Sequence, residues 1–131
     1  AAALDGSAVI CSAGCADPFS PRAIRGSAGH ALLLPVATGA EFAPLAERVR
    51  AAGGEAVATV AGDGTTLTSW RPRLPLLVAF GNEGEGLAPE VLRACSGAVS
   101  IPLSGSVESL NIAVAAGIVL AAVRGLLPHL Y

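Results

Sequence analysis

From Ile112 to Val123 the sequence runs through isoleucine, valine, leucine, alanine and glycine without one polar side chain. Such a segment must leave water, and its burial constrains everything around it. It is too short for the ~20 apolar residues a helix needs to cross a bilayer. It therefore reads as a core helix, the heart of a terminal helix over 110–126. A chain of 131 residues is long enough to build one core around it. With 53% hydrophobic and 14% charged residues, and a mean hydropathy of +0.63, the chain cannot stay disordered. Ala1–Ala3 lack a basic flank and Asp5 breaks the segment, so nothing there resembles a signal peptide. A cytoplasmic protein without a membrane partner is expected.

Charge and cysteine narrow the field further. A net charge of -2 and a pI near 5.6 argue against gripping nucleic acid by bulk electrostatics, while leaving room for a local basic patch. Every basic side chain is arginine. Cys11, Cys15 and Cys95 lack metal-ligand spacing and read as free thiols of a reducing compartment. His30 and His129 are the only histidines, so no metal site is expected. The chain begins at alanine and has no methionine. It reads as a piece of a longer protein.

Strand-like and helix-like segments alternate, which favours an α/β architecture in one domain. Strands are expected at 7–12, 31–36, 56–60, 74–80 and 98–101. The run 74–80 looks buried on both faces, and Pro35 marks the second strand as an edge or an end. Helices are expected at 21–28, entered through Ser20-Pro21, and at 42–52, 89–95 and 110–126. Residues 62–73 are polar and glycine-bearing. They read as a loop, weakly extended at 65–67, and as the one flexible excursion of the chain.

Two loops follow strands and carry the polar groups. The first is Gly81-Asn82-Glu83-Gly84-Glu85-Gly86. Its glycines permit positive φ and close approach to a ligand. Its spacing is neither the dinucleotide fingerprint nor a phosphate loop. Glu83 and Glu85 make phosphate unattractive, so a neutral or cationic ligand held by main-chain groups fits better, with a plain chain reversal as the alternative. The second loop, 102–111, brings Ser104, Ser106, Ser109 and Asn111 to the mouth of the apolar helix. Ser109 or Asn111 could simply cap that helix. Ligands of open α/β sheets gather at the carboxyl ends of strands, and two polar loops at that edge favour a binding site.

Three stretches resemble the SpoU/TrmH branch of the SPOUT RNA methyltransferases. Ala79-Phe80-Gly81-Asn82-Glu83-Gly84-Glu85-Gly86-Leu87 resembles the family's second motif. Ser100-Ile101-Pro102-Leu103, followed by Gly105-Ser106-Val107-Glu108-Ser109-Leu110-Asn111-Ile112-Ala113-Val114-Ala115-Ala116-Gly117, resembles its third motif. Asp17-Pro18-Phe19-Ser20-Pro21-Arg22-Ala23-Ile24-Arg25, with Ser27, Gly29 and Leu34-Pro35-Val36, is similar to the segment after its first motif.

The resemblance implies a SPOUT-type α/β knot: a mostly parallel sheet flanked by helices, with a C-terminal trefoil knot, one of the rare exceptions to unknotted chains. It covers residues 1–131 as the cofactor-binding part of a methyltransferase domain, without the N-terminal motif. It implies S-adenosylmethionine, held mostly by backbone at Gly81, Ile101 and Leu110, with Asn82, Gly84, Leu103 and Ser109 beside them. It implies a homodimer in which the terminal helix packs at or near the interface.

The activity implied is methylation of a ribose 2′-hydroxyl of tRNA or rRNA, which needs an in-line methyl and a hydroxyl that loses its proton. Ser109 and Asn111 match the third motif's catalytic serine and asparagine. Glu83 matches the acidic position of the second and could orient the family's arginine. That arginine belongs to the first motif and would precede Ala1. Arg22 and Arg25 match other positions and are candidates for RNA phosphate contacts or a solvated helix face. Without the arginine, this chain is expected to bind cofactor weakly and methylate poorly. Two other readings stand beside the enzyme: a catalytically inactive SPOUT module that binds RNA or scaffolds a partner, and a nucleotide-binding α/β domain without methyl transfer.

Overall fold

A computed structural model describes residues 1–82, 84–105 and 109–126. The chain divides into two compact units, Ala1–Glu41 and Phe42–Tyr131.

In the first unit, β1 (Val9–Cys11) pairs in parallel with β2 (Val36–Thr38), Ile10 lying opposite Ala37. Parallel strands need a crossover, and α1 (Pro21–Gly26) lies within it. The local chemistry sets its start. Asp17 accepts the Phe19 N–H at 2.9 Å, Ser20 Oγ accepts the Ala23 N–H at 3.3 Å, and Pro21 occupies the first turn without needing a donor. The helix ends two residues before the expected 28. Ala28 and Gly29 both take positive φ, and the Gly29 N–H closes on the Ile24 carbonyl.

The second strand was expected at 31–36 and begins at 36 instead. His30–Leu32 form a 3-10 turn, and Pro35 has no N–H to give a ladder. Pro35 contributes only its carbonyl, which accepts the Val9 N–H at 3.0 Å. Leu32 and Leu33 are left exposed.

In the second unit all strand pairs are parallel. The sheet order is β4-β6-β3-β5, from β3 (Glu55–Val60), β4 (Thr65–Thr66), β5 (Leu76–Ala79) and β6 (Gly97–Ser100). β3 is the most buried strand, not the 74–80 run: β5 lies at the sheet's edge, with Leu76, Leu77 and Val78 half-buried. α2 (Phe42–Ala51) packs on β3 and on α3 (Pro89–Ala94). Ala46, Ala56 and Ala58 are closed off completely, small enough for helix and strand to meet closely. Gly53, at φ 83, stops α2 by letting the Gly54 N–H reach the Val49 carbonyl.

The core joins Val57, Trp70, Val99 and Val119. Val119 belongs to α4 (Ile112–Val123), which is shorter than the expected 110–126 and less submerged than a core helix. Val119 is its only fully buried residue, and Val114 is 52% exposed.

Residues 62–73 are not a flexible excursion. Trp70 fills the core at 9% exposure. The Leu67 N–H donates to the Ser100 carbonyl at 3.0 Å, Ser100 Oγ donates to the Gly64 carbonyl at 3.1 Å, and the Arg73 N–H donates to buried Glu55 at 2.8 Å. The knotted threading implied by resemblance depends on 106–108, which lie outside the described residues. Among the described residues, no helix is long and apolar enough to cross a membrane.

Two glycines in this unit should respond oppositely to a methyl group. A Cβ on Gly54 would overlap the Pro75 carbonyl, whereas one on Gly62 meets open space at ordinary φ. Gly54→Ala should lose at least ~1–3 kcal/mol through overpacking. Gly62→Ala should be neutral or gain up to ~1 kcal/mol from a stiffer unfolded chain. Denaturant midpoints compare them, and equal midpoints would refute the tight contact.

Candidate functional site

β3, β5 and β6 run parallel and stop at one edge, because their registers place Ala58 beside Ala79 and Val60 beside Ser100. The chain leaves the sheet there three times, at Ala61, Phe80 and Ile101. A cavity of about 340 Å³ opens at this edge, within the ~300–1,000 Å³ range of small-molecule sites. Thr59, Val60 and Ala61 form one wall, the loop from Phe80 to Gly86 a second, and Ile112, Ala115 and Val119 of α4 a third. Val99 and Val119 belong to both cavity and core, so the site is built on the best-packed part of this unit.

The glycine loop is a closed hairpin. Asn82 and Gly86 exchange main-chain hydrogen bonds at 3.2 and 3.1 Å. Asn82 Oδ1 also accepts the N–H groups of Gly84 (3.0 Å) and Glu85 (2.6 Å). The glycines differ in purpose from the common freedom expected of them. Gly86 alone takes positive φ, at 70°. At Gly81 the demand is steric, since a Cβ would overlap the Gly86 backbone. Gly84 meets neither constraint; its nearest neighbour to a Cβ would be Asn82 Oδ1 at 3.7 Å. Thr59 Oγ1 donates to the Ala79 carbonyl at 2.8 Å, pinning β3 to β5 just below the hairpin.

The expected cofactor-binding residues converge. Gly81, Asn82, Gly84, Ile101, Leu103, Ser109 and Leu110 all line this one cavity. Gly81, Ile101 and Leu110 all lie in the loops, outside the strands and helices of this unit.

The expected catalytic residues do not all converge. Ser109 lines the cavity, but Asn111 is not part of its wall. Asn111 caps α4, its Oδ1 accepting the N–H groups of Ala113 (3.0 Å) and Val114 (3.4 Å), so the capping alternative holds for this side chain. Ser104 lies off the lining as well. Glu83 and Ser106 fall outside the described residues. Arg22 and Arg25 are exposed on α1 and belong to the other compact unit.

Thr59–Ala61, Phe80, Glu85 and Gly86 were not expected as site residues. The strand calculation that signals them is simple: each sits at or just past the carboxyl end of a parallel strand, or in the loop that follows. Glu85 is the only ionisable side chain among the described lining residues. The cysteines lie elsewhere. Burial pushes the Cys11 thiol up, with Cys15 adding to it, and burial pushes Cys95 up against the opposing pull of Arg50.

Over residues 1–121 the sequence matches the SpoU rRNA Methylase family. The chain belongs to that family. A SpoU relative, an uncharacterized tRNA/rRNA methyltransferase of Synechocystis sp., is 40% identical over 92% of this chain and 44% of its own length. The SpoU methyltransferase AviRb of Streptomyces viridochromogenes, solved in complex with the cofactor AdoMet, superposes with a TM-score of 0.83 at 31% identity, over 95% of this chain and 49% of that one. An RNA 2′-O ribose methyltransferase superposes with a TM-score of 0.79 at 30% identity, over 96% and 49%. The SpoU chain described here spans less than half the length of these relatives. The likeness confirms an α/β fold with parallel sheets flanked by helices.

Because Asn82 holds two amide protons, Asn82→Ala should speed hydrogen exchange at Gly84 and Glu85 by about ten-fold, the equivalent of one ~1.4 kcal/mol hydrogen bond. Asn82→Asp keeps the acceptor and should exchange like the parent. Unchanged exchange in the alanine variant would show that the hairpin closes without this side chain.

Proposed function

We propose that this chain is the cofactor-binding part of an S-adenosylmethionine-dependent RNA methyltransferase acting on a ribose 2′-hydroxyl of tRNA or rRNA. The observation that carries the reading is the cavity itself. It is apolar, closed on one side by glycine-relieved backbone, and free of basic side chains among its described lining residues. That chemistry suits an adenosyl compound without phosphates and disfavours a dinucleotide. The AdoMet-bound SpoU relative supports the cofactor, and the 2′-O ribose relative supports the acceptor.

Gly81, Ile101 and Leu110 would hold the cofactor through their main chain, with Asn82, Leu103 and Ser109 completing the contact. When bound, the cofactor supplies a methyl group on a positively charged sulfur. The acceptor hydroxyl takes that methyl and gives up its proton. Ser109, exposed at the cavity wall, would hydrogen-bond that hydroxyl. Asn111 acts one step back, fixing where α4 begins and so where Ser109 and Leu110 face the cavity.

Calorimetry should give binding of S-adenosylmethionine and S-adenosylhomocysteine, no heat with ATP or NAD, and loss of binding in Gly81→Ala. Labelled methyl transfer to bulk RNA by the full-length protein, followed by nucleoside analysis, should find the label on 2′-O-methyl riboses. Binding without transfer favours the inactive module. A response to ATP or NAD alone overturns the reading.

We further propose that α4 meets a second copy of the chain. Ala113, Val114 and Gly117 are exposed on a helix without polar side chains, and that apolar stripe is costly to leave in water. Light scattering should return twice the chain mass, and Val114→Arg should return it to one. A monomeric parent chain would sink this.

A further inference from the structure

Glu85 stands alone as an ionisable group on the described cavity wall, and it is exposed, so it occupies the rim rather than the floor. Its position is not left to chance. The Glu85 N–H is held by Asn82 Oδ1 at 2.6 Å, and Gly86 turns the chain back immediately after it. A carboxylate at the mouth of a cavity whose other described lining residues carry no charge contributes to the electrostatic potential of that mouth, and low-dielectric walls focus its field inward.

Resting on the methyltransferase reading above, we propose that Glu85 is a specificity-determining residue that favours the cationic sulfonium compound over its neutral demethylated product. The floor of the cavity is aliphatic, at Val99, Ala115 and Val119, and suits the adenosyl end. A methyl destined for an RNA hydroxyl has to face the open rim, which brings the sulfonium toward Glu85. Attraction to a rim carboxylate then exists before transfer and vanishes with the charge afterwards. The adenosyl contacts are the same in both compounds. Glu85 therefore strengthens the hold on the reactant relative to the hold on the product, so that the spent compound competes less well for the cavity.

The test is the ratio of two dissociation constants, measured by calorimetry on the intact chain. Glu85→Gln should weaken S-adenosylmethionine about two- to five-fold, as expected for a solvent-screened charge, and leave S-adenosylhomocysteine unchanged. Glu90→Gln, on α3 and off the cavity lining, should leave both constants alone. In the parent chain, raising salt should weaken the sulfonium compound and not the product. This arm holds even if the Glu85 variant fails to fold. A ratio unmoved by Glu85→Gln, or equal salt dependence of the two compounds, overturns the proposal while the functional reading stands. Binding of neither compound by the parent chain overturns the functional reading and this inference with it.

Discussion

Parallel pairing of β3 with both β5 and β6 is the constraint on which the site depends. In a parallel ladder neighbouring strands share a direction, so all three deliver their carboxyl ends to one edge. The register does the rest. With Ala58 beside Ala79 and Val60 beside Ser100, Ala61, Phe80 and Ile101 leave the sheet together. Slide one strand by a single residue and its side chains exchange faces. Val57 and Val99 would then leave the core that Val119 completes, and the cavity would lose its floor.

Holding that register is the work of residues far from any motif. Thr59 ties β3 to β5 through the Ala79 carbonyl. Glu55, at the other end of β3, is buried and accepts the Arg73 N–H, anchoring the segment that leads into β5. Trp70 comes from the same segment and fills the core under α4. A buried carboxylate is costly unless paired. Its retention here makes sense as a clamp: one side chain fixes a polar loop whose indole is needed inside.

Local chemistry made much of this legible in the sequence. Ser20-Pro21 starts α1 and Asn111 starts α4 by satisfying or dispensing with orphan amides, and Gly53-Gly54 ends α2 by satisfying an orphan carbonyl. The apolar runs marked β3, β5 and β6, and the glycine hairpin and serine loop did meet at one cavity. What stayed hidden was tertiary. The 62–73 segment is polar on average, and composition cannot show that one tryptophan in it is buried. Residues 31–34 are as apolar as any strand, yet His30–Leu32 form a 3-10 turn and the strand starts only after Pro35. The glycines of 81–86 looked interchangeable. Only coordinates separate Gly81, needed for close approach, from Gly86, needed for positive φ.

Asn111 shows how a motif residue can shape a site through the helix it caps. Its Oδ1 accepts the first amides of α4, and an N-cap sets the point at which a helix begins. The neighbours on either side, Leu110 and Ile112, both line the cavity, as does Ser109 just before them. Moving that start by a residue would change the backbone through which Ser109 and Leu110 enter the helix. The same asparagine therefore orients three parts of the wall at once. Its amide could be replaced at modest cost to stability, but only at the expense of where Ser109 and Leu110 point. A site made of main-chain groups and aliphatic walls has few side chains to lose, and its precision is carried by caps and turns such as this one.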